Sequence, residues 1–460
     1  MIDEGERKKP VFLHFKRIGN KIYEAIEFKG KTCFLSFEKA GYWKLEDEFE
    51  GLNEVYYPVQ KNQIPYRPYK LDRETLVKLQ NRTYKIDRGE LFAQIYEQVD
   101  LYLDLAPEYK ALICAQILET YIQFKLHSVG YIFISGIKEA GKSRVCELIY
   151  YMGYRPMLSL NNNSADVYNY IGNEEENEGQ VTIIEDEVDW KKLTPDLRDK
   201  MKIYRSGYRK GATVPRILEA SSANRRMLFF RTYCSKIFGG YGFPYDDAFK
   251  SRCIEVPMIK GEPVKDEIEE EDKQVFDEIK LNLLIWRMAT YFDDLPEREF
   301  GWLKGRMKEI WKCKILAVAD TKAEEIIAQL SQKDLKEKFE ESRNTLEAFV
   351  LQVIIDLCEE WKWRNVPFKT IWALLMKDLN ISYVEAFREE TYKVSSNILN
   401  REVSKNAVGR ILSSFLHGKP SVEKLPLDSD VPKTERVWQF KKETIQRIAK
   451  SYKITARDLK

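Results

Sequence analysis

The chain has 460 residues, 44% of them apolar and 32% charged, and a net charge of only +2. That length exceeds what one hydrophobic core organises, so several domains are expected of a globular protein. The most apolar runs, 129–136 and 350–357, fall far short of the ~20 residues that span a bilayer, and the charged start is unlike a signal peptide; a cytoplasmic protein with no membrane partner is expected.

The seven cysteines, at 33, 114, 146, 234, 253, 313 and 358, are odd in number and none stands in a Cys-x-x-Cys pair. Neither a disulfide framework nor a zinc ribbon follows from them. Charge is uneven: residues 190–260 hold 16 Lys/Arg against 6 Asp/Glu. Such a segment holds a polyanion or is a solvated face, depending on where the fold places it.

Taken in chain order, residues 10–60 alternate apolar and polar in short bursts split by Gly19-Asn20 and Lys29-Gly30-Lys31, the pattern of a small antiparallel β domain. Three prolines mark 57–70 as a linker. Residues 73–128 switch to helical spacing through Leu76, Leu79, Leu91, Ile95 and Val99. Residues 131–135 and 181–184 read as buried strands bracketing a Gly-containing loop and a helix, the pattern of an α/β core with a largely parallel sheet. The stretch 266–320 reads as helical throughout. Beyond 345 come a helix at 349–358, a basic helix at 405–415, a strand at 434–440 and a last helix at 443–452, an order that fits a winged helix-turn-helix.

Residues 136–143 read Gly-Ile-Lys-Glu-Ala-Gly-Lys-Ser, a full match to the phosphate-binding loop. Gly136 and Gly141 allow the backbone to wrap phosphate; Glu139, Ala140 and Arg144 complete the cradle. Lys142 supplies a point charge between β- and γ-phosphates, and the Ser143 hydroxyl ligates Mg²⁺. Val181-Thr182-Ile183-Ile184 leads into Glu185-Asp186-Glu187. Asp186 is expected to hold Mg²⁺ and Glu187 to polarise the attacking water, with Glu185 or Asp189 as alternatives in another register.

On these motifs the sequence resembles the helicase-like AAA+ ATPases of mobile-element replication proteins, relatives of the superfamily 3 and minichromosome maintenance helicases. The resemblance runs from Leu91 to about Leu330. It is carried in order by Glu119-Thr120-Tyr121, the phosphate loop, Asp186-Glu187, Tyr204 to Ala212, Ser235 to Gly240, Lys250-Ser251-Arg252-Cys253-Ile254, and Gly305 to Trp311. It implies that Arg252 is an arginine finger for a neighbouring subunit's nucleotide and that Arg306 is a second sensor arginine from the lid; the alternatives are a surface ion pair for Arg252 and a structural role for Arg306. It also implies a β-hairpin before the first sensor, whose Arg225 and Arg226, with Arg209 and Lys210, contact the DNA backbone. One departure is plain: 237–241 has no Asn for the first sensor, leaving Ser235 or a displaced residue.

The expected architecture is an AAA+ P-loop NTPase core with a parallel sheet and helical lid, a small N-terminal β domain and a winged-helix-like C-terminal domain. The boundaries are 1–70 for the β-rich domain, 71–128 for a helical lead-in, and 129–262 for the core with its hairpin at about 212–238. The lid takes 263–340 and the last domain 341–460. The expected activity is an ATP- and Mg²⁺-dependent, ring-forming (hexameric) DNA helicase or translocase. The alternatives are an ATP-switched origin-binding or melting protein and a protein-remodelling ATPase.

Overall fold

In the computed structural model the described residues are 8–159, 163–172, 178–187, 190, 194–218, 226–240, 246–360, 363, 365–381, 393–399, 401–424, 434–452 and 454–455. They fall into two units, Met1–Gln332 and Lys333–Lys460.

The first unit starts as β structure. Strands β1 (Lys9–Leu13), β2 (Phe15–Ile18), β3 (Lys21–Phe28), β4 (Lys31–Glu38), β5 (Tyr42–Glu46), β6 (Phe49–Glu50) and β7 (Glu54–Pro58) follow one another. Between β3 and β4 both Lys29 and Gly30 have positive φ, the geometry that a two-residue turn needs to match strand twist. β2 to β5 form an antiparallel meander, to which β8 (Lys70–Leu71) adds in parallel beside β3, while β1, β7 and β6 make a second small sheet. Helices α1 (Arg73–Gln80), α2 (Arg88–Tyr102) and α3 (Pro107–Ile122) come next. Asp72 and Asp87 cap the first two by accepting from backbone N–H groups, and Pro107 opens the third.

The α/β core then runs β9 (Tyr131–Gly136), α4 (Lys142–Met152), β10 (Pro156–Ser159), α5 (Ser164–Ile171), β11 (Thr182–Glu185), α6 (Pro195–Ser206), β12 (Thr213–Leu218), β13 (Arg226–Arg231), β14 (Ser235–Gly240), α7 (Asp247–Lys250) and β15 (Cys253–Met258). Five of these strands make one all-parallel sheet in the order β10-β11-β14-β9-β15. Buried Ile and Phe sit at consecutive positions on β9, β11 and β14, as expected of parallel strands covered on both faces. β12 and β13 pair only with each other, as an antiparallel hairpin. Helices α8 (Glu270–Ala289), α9 (Gly305–Ala317) and α10 (Ala323–Arg343) follow. The helix expected across 266–320 is therefore interrupted. Pro296, which cannot donate to a helical ladder, and Gly301 lie in the break.

A buried polar knot ties the β meander to the core. Strand alternation sends Glu24 of β3 inward with Ile22 and Ile26, and Glu24 is fully buried. It accepts from Arg155, from Tyr154 Oη (2.8 Å) and from Arg287 Nε of α8 (3.3 Å). Arg287 also donates to the Tyr121 carbonyl (2.7 Å) and Gln180 Oε1 (2.6 Å), and stacks on the rings of Tyr154 and Phe124. The 57–70 stretch is no free linker either: Tyr66 and Tyr69 are buried, and Arg67 forks onto Asp277 of α8 at 2.9 and 2.7 Å.

The second unit contains α11 (Leu346–Glu360), β16 (Val366–Pro367), α12 (Phe368–Asp378), β17 (Lys393–Ser396), β18 (Arg401–Ser404), α13 (Lys405–Arg410), β19 (Lys419–Lys424), β20 (Thr434–Gln439) and α14 (Lys442–Tyr452). β16, β20 and β19 form an antiparallel sheet in that order. Trp372 and Trp438 are buried in its core. Ser404 Oγ caps α13, which runs on as a π-helical turn through Phe415. All seven cysteines are buried thiols. Among the described residues no helix is long and apolar enough to cross a membrane.

Candidate nucleotide site

The loop after β9 is shaped by close contacts and backbone angles. A side chain at Gly136 would put its Cβ 2.5 Å from the Met258 carbonyl oxygen, so only glycine lets β9 end against β15. Glu139 (φ 61°) and Gly141 (φ 85°) are both left-handed, curling the backbone into a concave nest of the kind that binds anions. Gly141 is the N-cap of α4. No side chain caps that helix and its first turn carries no acid, so its N–H groups are left for an anion. Lys142 Nζ folds back onto the carbonyls of Gly136 (3.0 Å) and Ile137 (2.6 Å), spanning the loop mouth.

A cavity of about 820 Å³ opens over this loop. Lys138 to Arg144 line one side, and Asp186 and Glu187 project from the end of β11 on another. Asp186 is buried and accepts from the Glu187 N–H at 2.9 Å; Glu187 itself has φ 55°. Glu185 goes elsewhere. It is buried away from the cavity, accepting from Lys200 Nζ (2.9 Å) and Tyr204 Oη (2.6 Å), and burial raises its pKa against the pull of those two donors. Asp189 lies outside the described residues. Arg144, in the first turn of α4, faces Glu147 (3.4 Å) and donates to the Asp266 carbonyl.

The remaining wall was not read from the sequence. Tyr102, Leu103 and Asp104 at the end of α2, and Met258, Ile259 and Gly261 after β15, close the cavity. Gly261 has no room for a side chain beside Asp104, whose Oδ2 accepts from the Glu262 N–H at 3.0 Å. The Gly261–Pro263 turn residues are the only local signal for it.

β14 lies between β9 and β11, so its end reaches the cavity where a sensor side chain is expected. It ends in Gly239 and Gly240. A Cβ on Gly239 would lie 2.3 Å from Asp186 Oδ1, and one on Gly240 2.7 Å from the Trp190 ring. The space is already filled. Ser235, the alternative sensor, stands at the other end of β14, opposite Thr182, where it is buried among Gln116, Glu119 and Gln123. It is no sensor for this cavity. Glu119 is likewise internal, in an ion pair with Lys314 of α9 at 2.5 Å, and both residues are fully buried.

Arg252 and Arg306 are brought together, and away from the cavity. β15 runs from Cys253 beside Tyr131 to Met258 beside Gly136. Arg252 therefore precedes the strand whose far end touches the phosphate loop, about 20 Å off at ordinary strand rise. Its guanidinium lies 4.7 Å over the Tyr208 ring and donates to the Ala248 carbonyl. Arg306 lies over the same ring at 4.3 Å and donates to Glu309 (2.7 Å). A lid arginine reaching its own chain's nucleotide is not what this arrangement gives. Burial, and then the charge of Arg306, lower the Arg252 pKa.

The chain is distantly similar in structure to two structures of one C-terminal region and to one helicase. The A form of the apo NrS-1 C-terminal region (305–718) aligns with a TM-score of 0.33 and 12% identity over 91% of this chain and 96% of that one. A second apo structure of that region gives 0.33 and 13%, over 86% and 83%. JCV helicase, solved with a thiazolopyridine acetamide bound, gives 0.20 and 13%, over 58% and 74%. No family model and no curated protein matches the chain.

The expected nucleic-acid contacts are mixed. Arg225 lies outside the described residues, and of Arg226 only the backbone, opposite Leu218, is described. Arg209 is ion-paired with Glu309, and Lys210 Nζ donates to the Phe124 carbonyl at 3.0 Å. The described part of the hairpin carries an apolar face instead. Ile217, Met227 and Phe229 are each more than half exposed on one side of it. In the second unit Lys405, at the start of α13, lies 5.6 Å over the Trp372 ring, and Arg410 is exposed.

Proposed function

We propose that this chain binds and hydrolyses ATP with Mg²⁺, in sites shared between copies arranged as a ring, and uses the energy to move along and unwind DNA. The observation that carries the reading is the cavity that joins an uncapped helix start, the Lys142 loop and the Asp186-Glu187 pair. The chemistry of these groups fits the nucleotide. Backbone N–H groups and Lys142 suit the β- and γ-phosphates, and Ser143 with Asp186 would hold Mg²⁺, which supplies charge neutralisation. Glu187 would orient water, and the Tyr102–Ile259 wall would meet the base. Arg252 and Arg306, standing too far from their own cavity, would serve the nucleotide of a neighbour. In this reading α8 to α10 act as the lid, the hairpin reaches DNA, and the 341–460 segment is a winged-helix-like docking domain whose α13 faces a duplex.

Steady-state ATP hydrolysis tests it. Activity should depend on Mg²⁺, rise more than in proportion to protein concentration where rings assemble, and vanish in Lys142→Ala. Linear dependence down to dilutions where the chain is monomeric would remove the shared site.

One observation favours a second reading. With Gly239 and Gly240 in place of a sensor side chain, hydrolysis loses one means of positioning water, which suits a protein that ATP switches between DNA-bound states. Strand displacement on a forked duplex separates the two. ATP-dependent displacement supports the motor; origin binding without displacement supports the switch.

A further inference from the structure

Four segments converge at the edge of the sheet opposite the phosphate loop. Tyr208 follows α6 and is held by backbone bonds on both sides: its carbonyl accepts from the Val129 N–H (2.9 Å), and the Lys210 N–H donates to the His127 carbonyl (2.9 Å). The Tyr131 N–H donates to the Arg252 carbonyl at 3.0 Å, fixing the start of β15 on β9. Gly130 packs so closely on Ile310 of α9 that a Cβ there would lie 2.2 Å from the Ile310 carbonyl oxygen, and Ser128 Oγ donates to the Glu309 carbonyl (2.9 Å). Tyr208 is thus a buried, rigidly seated ring, and three guanidiniums lie over it: the half-exposed Arg306 and Arg252 nearest, and the exposed Arg209 at 5.3 Å.

The charges there do not balance. Arg209, Arg252 and Arg306 gather around Tyr208, while the carboxylate that meets them is Glu309, shared by Arg209 and Arg306; Asp246 is held by Arg205. Among the described residues Arg252 has no carboxylate within ion-pair distance, and its buried Nε has no hydrogen-bond partner. Two arginines placed side by side would repel and splay apart in water. Contact with one shared aromatic ring offsets that repulsion. The result is a preformed site with surplus positive charge, suited to a doubly charged terminal phosphate.

We infer that Tyr208 is a positioning residue that holds Arg252 and Arg306 as a paired-guanidinium site for the terminal phosphate of nucleotide bound to a second copy of this chain. The inference rests on the shared-site reading above and adds to it the ring that sets both arginines. Misplacing such a group by about an ångström costs as much as 100-fold in rate.

The test uses the full chain and ATP. Tyr208→Leu, which keeps bulk but loses the π face, should lower kcat at least 10-fold with ATP affinity within 2-fold. Tyr208→Phe, which keeps the ring, should restore it. Mixing Tyr208→Leu with Lys142→Ala should recover activity that neither has alone, because the intact loop of one then faces the intact arginines of the other. Arg306→Ala, a half-exposed change that spares folding, should behave like Tyr208→Leu both alone and in the mixture, and decides the matter if Tyr208→Leu folds poorly. Unchanged kcat, a loss that Phe does not restore, or no recovery on mixing in either variant overturns the assignment. Recovery for Arg306→Ala but not for well-folded Tyr208→Leu leaves the shared site standing and removes Tyr208. No hydrolysis by the native chain instead overturns the underlying reading.

Discussion

Replacing Glu24 by Gln tests whether the β meander is welded to the core by charge. Gln keeps the shape but removes the negative charge that meets Arg155 and Arg287. Arg155 would keep the His14 carbonyl (2.6 Å), and Arg287 would keep the Tyr121 carbonyl and Gln180. These are neutral acceptors and leave two buried positive charges uncompensated. Breaking a buried pair by removing one partner costs about 3–5 kcal/mol, and two orphaned cations place this case toward the upper end. The first unit spans Met1–Gln332, so its unfolding entropy is roughly 0.7 kcal/mol/K and the expected fall in Tm is about 4–7 °C. Differential scanning calorimetry reads it directly, with the transition of Lys333–Lys460 as an internal control. A fall under 1 °C would mean that the knot is solvated and that packing alone holds the meander.

Lys142→Ala should leave the fold intact and cut ATP hydrolysis by about 100-fold or more, since it removes the loop's point charge on the phosphates; near-native turnover would place the active site elsewhere. Lys280 is buried over the rings of Tyr66 and Tyr69, and burial lowers its pKa from 10.5 to about 7. The unfolded chain therefore holds that proton between pH 7 and 10.5 while the folded one releases it, so stability contributed by this site rises with pH in that window. The stability difference between native chain and Lys280→Met, measured by urea unfolding at pH 7 and 9.5, should shift by about 3 kcal/mol in favour of the native chain; a constant difference would contradict it. The His14 ring, within 2.9 Å of Tyr66 Oη, has its pKa lowered from 6.5 to about 3 by burial and by Arg155. The unfolded chain binds that proton first, so stability should fall as pH drops from 6.5 toward 3. His14→Asn should show a shallower acid loss, and parallel profiles would refute the assignment.

Much of the site was legible because its signals are local. A strand, a Gly-Lys-Ser loop and a helix are adjacent in sequence, and strand residues running into Asp186-Glu187 identify themselves by type. What escaped depends on distant packing. Nothing near Arg306 says that α9 crosses to the Tyr208 edge; that follows from Gly130 lying flat on Ile310. Ser235 looked suitable as a sensor because composition does not tell which end of a strand faces the loop. The choice between Glu185 and Asp186 needed Lys200 and Tyr204, one turn apart on α6 and 15 and 19 residues along from Glu185. Prolines make 57–70 look like a linker, whereas Tyr66 and Tyr69 fill the core. The basic hairpin tip was visible in sequence, but the exposed Ile217, Met227 and Phe229 face needed the register of the pairing.

The glycine at position 239 has a consequence for how this site can change. An asparagine there would place its Cβ 2.3 Å from Asp186 Oδ1, so the Asp186 carboxylate would have to turn aside to admit it. In the reading proposed above, that displacement would disturb the position from which Asp186 would hold Mg²⁺. The bare strand end and the position of Asp186 are thus sterically coupled, so a change at one is felt at the other.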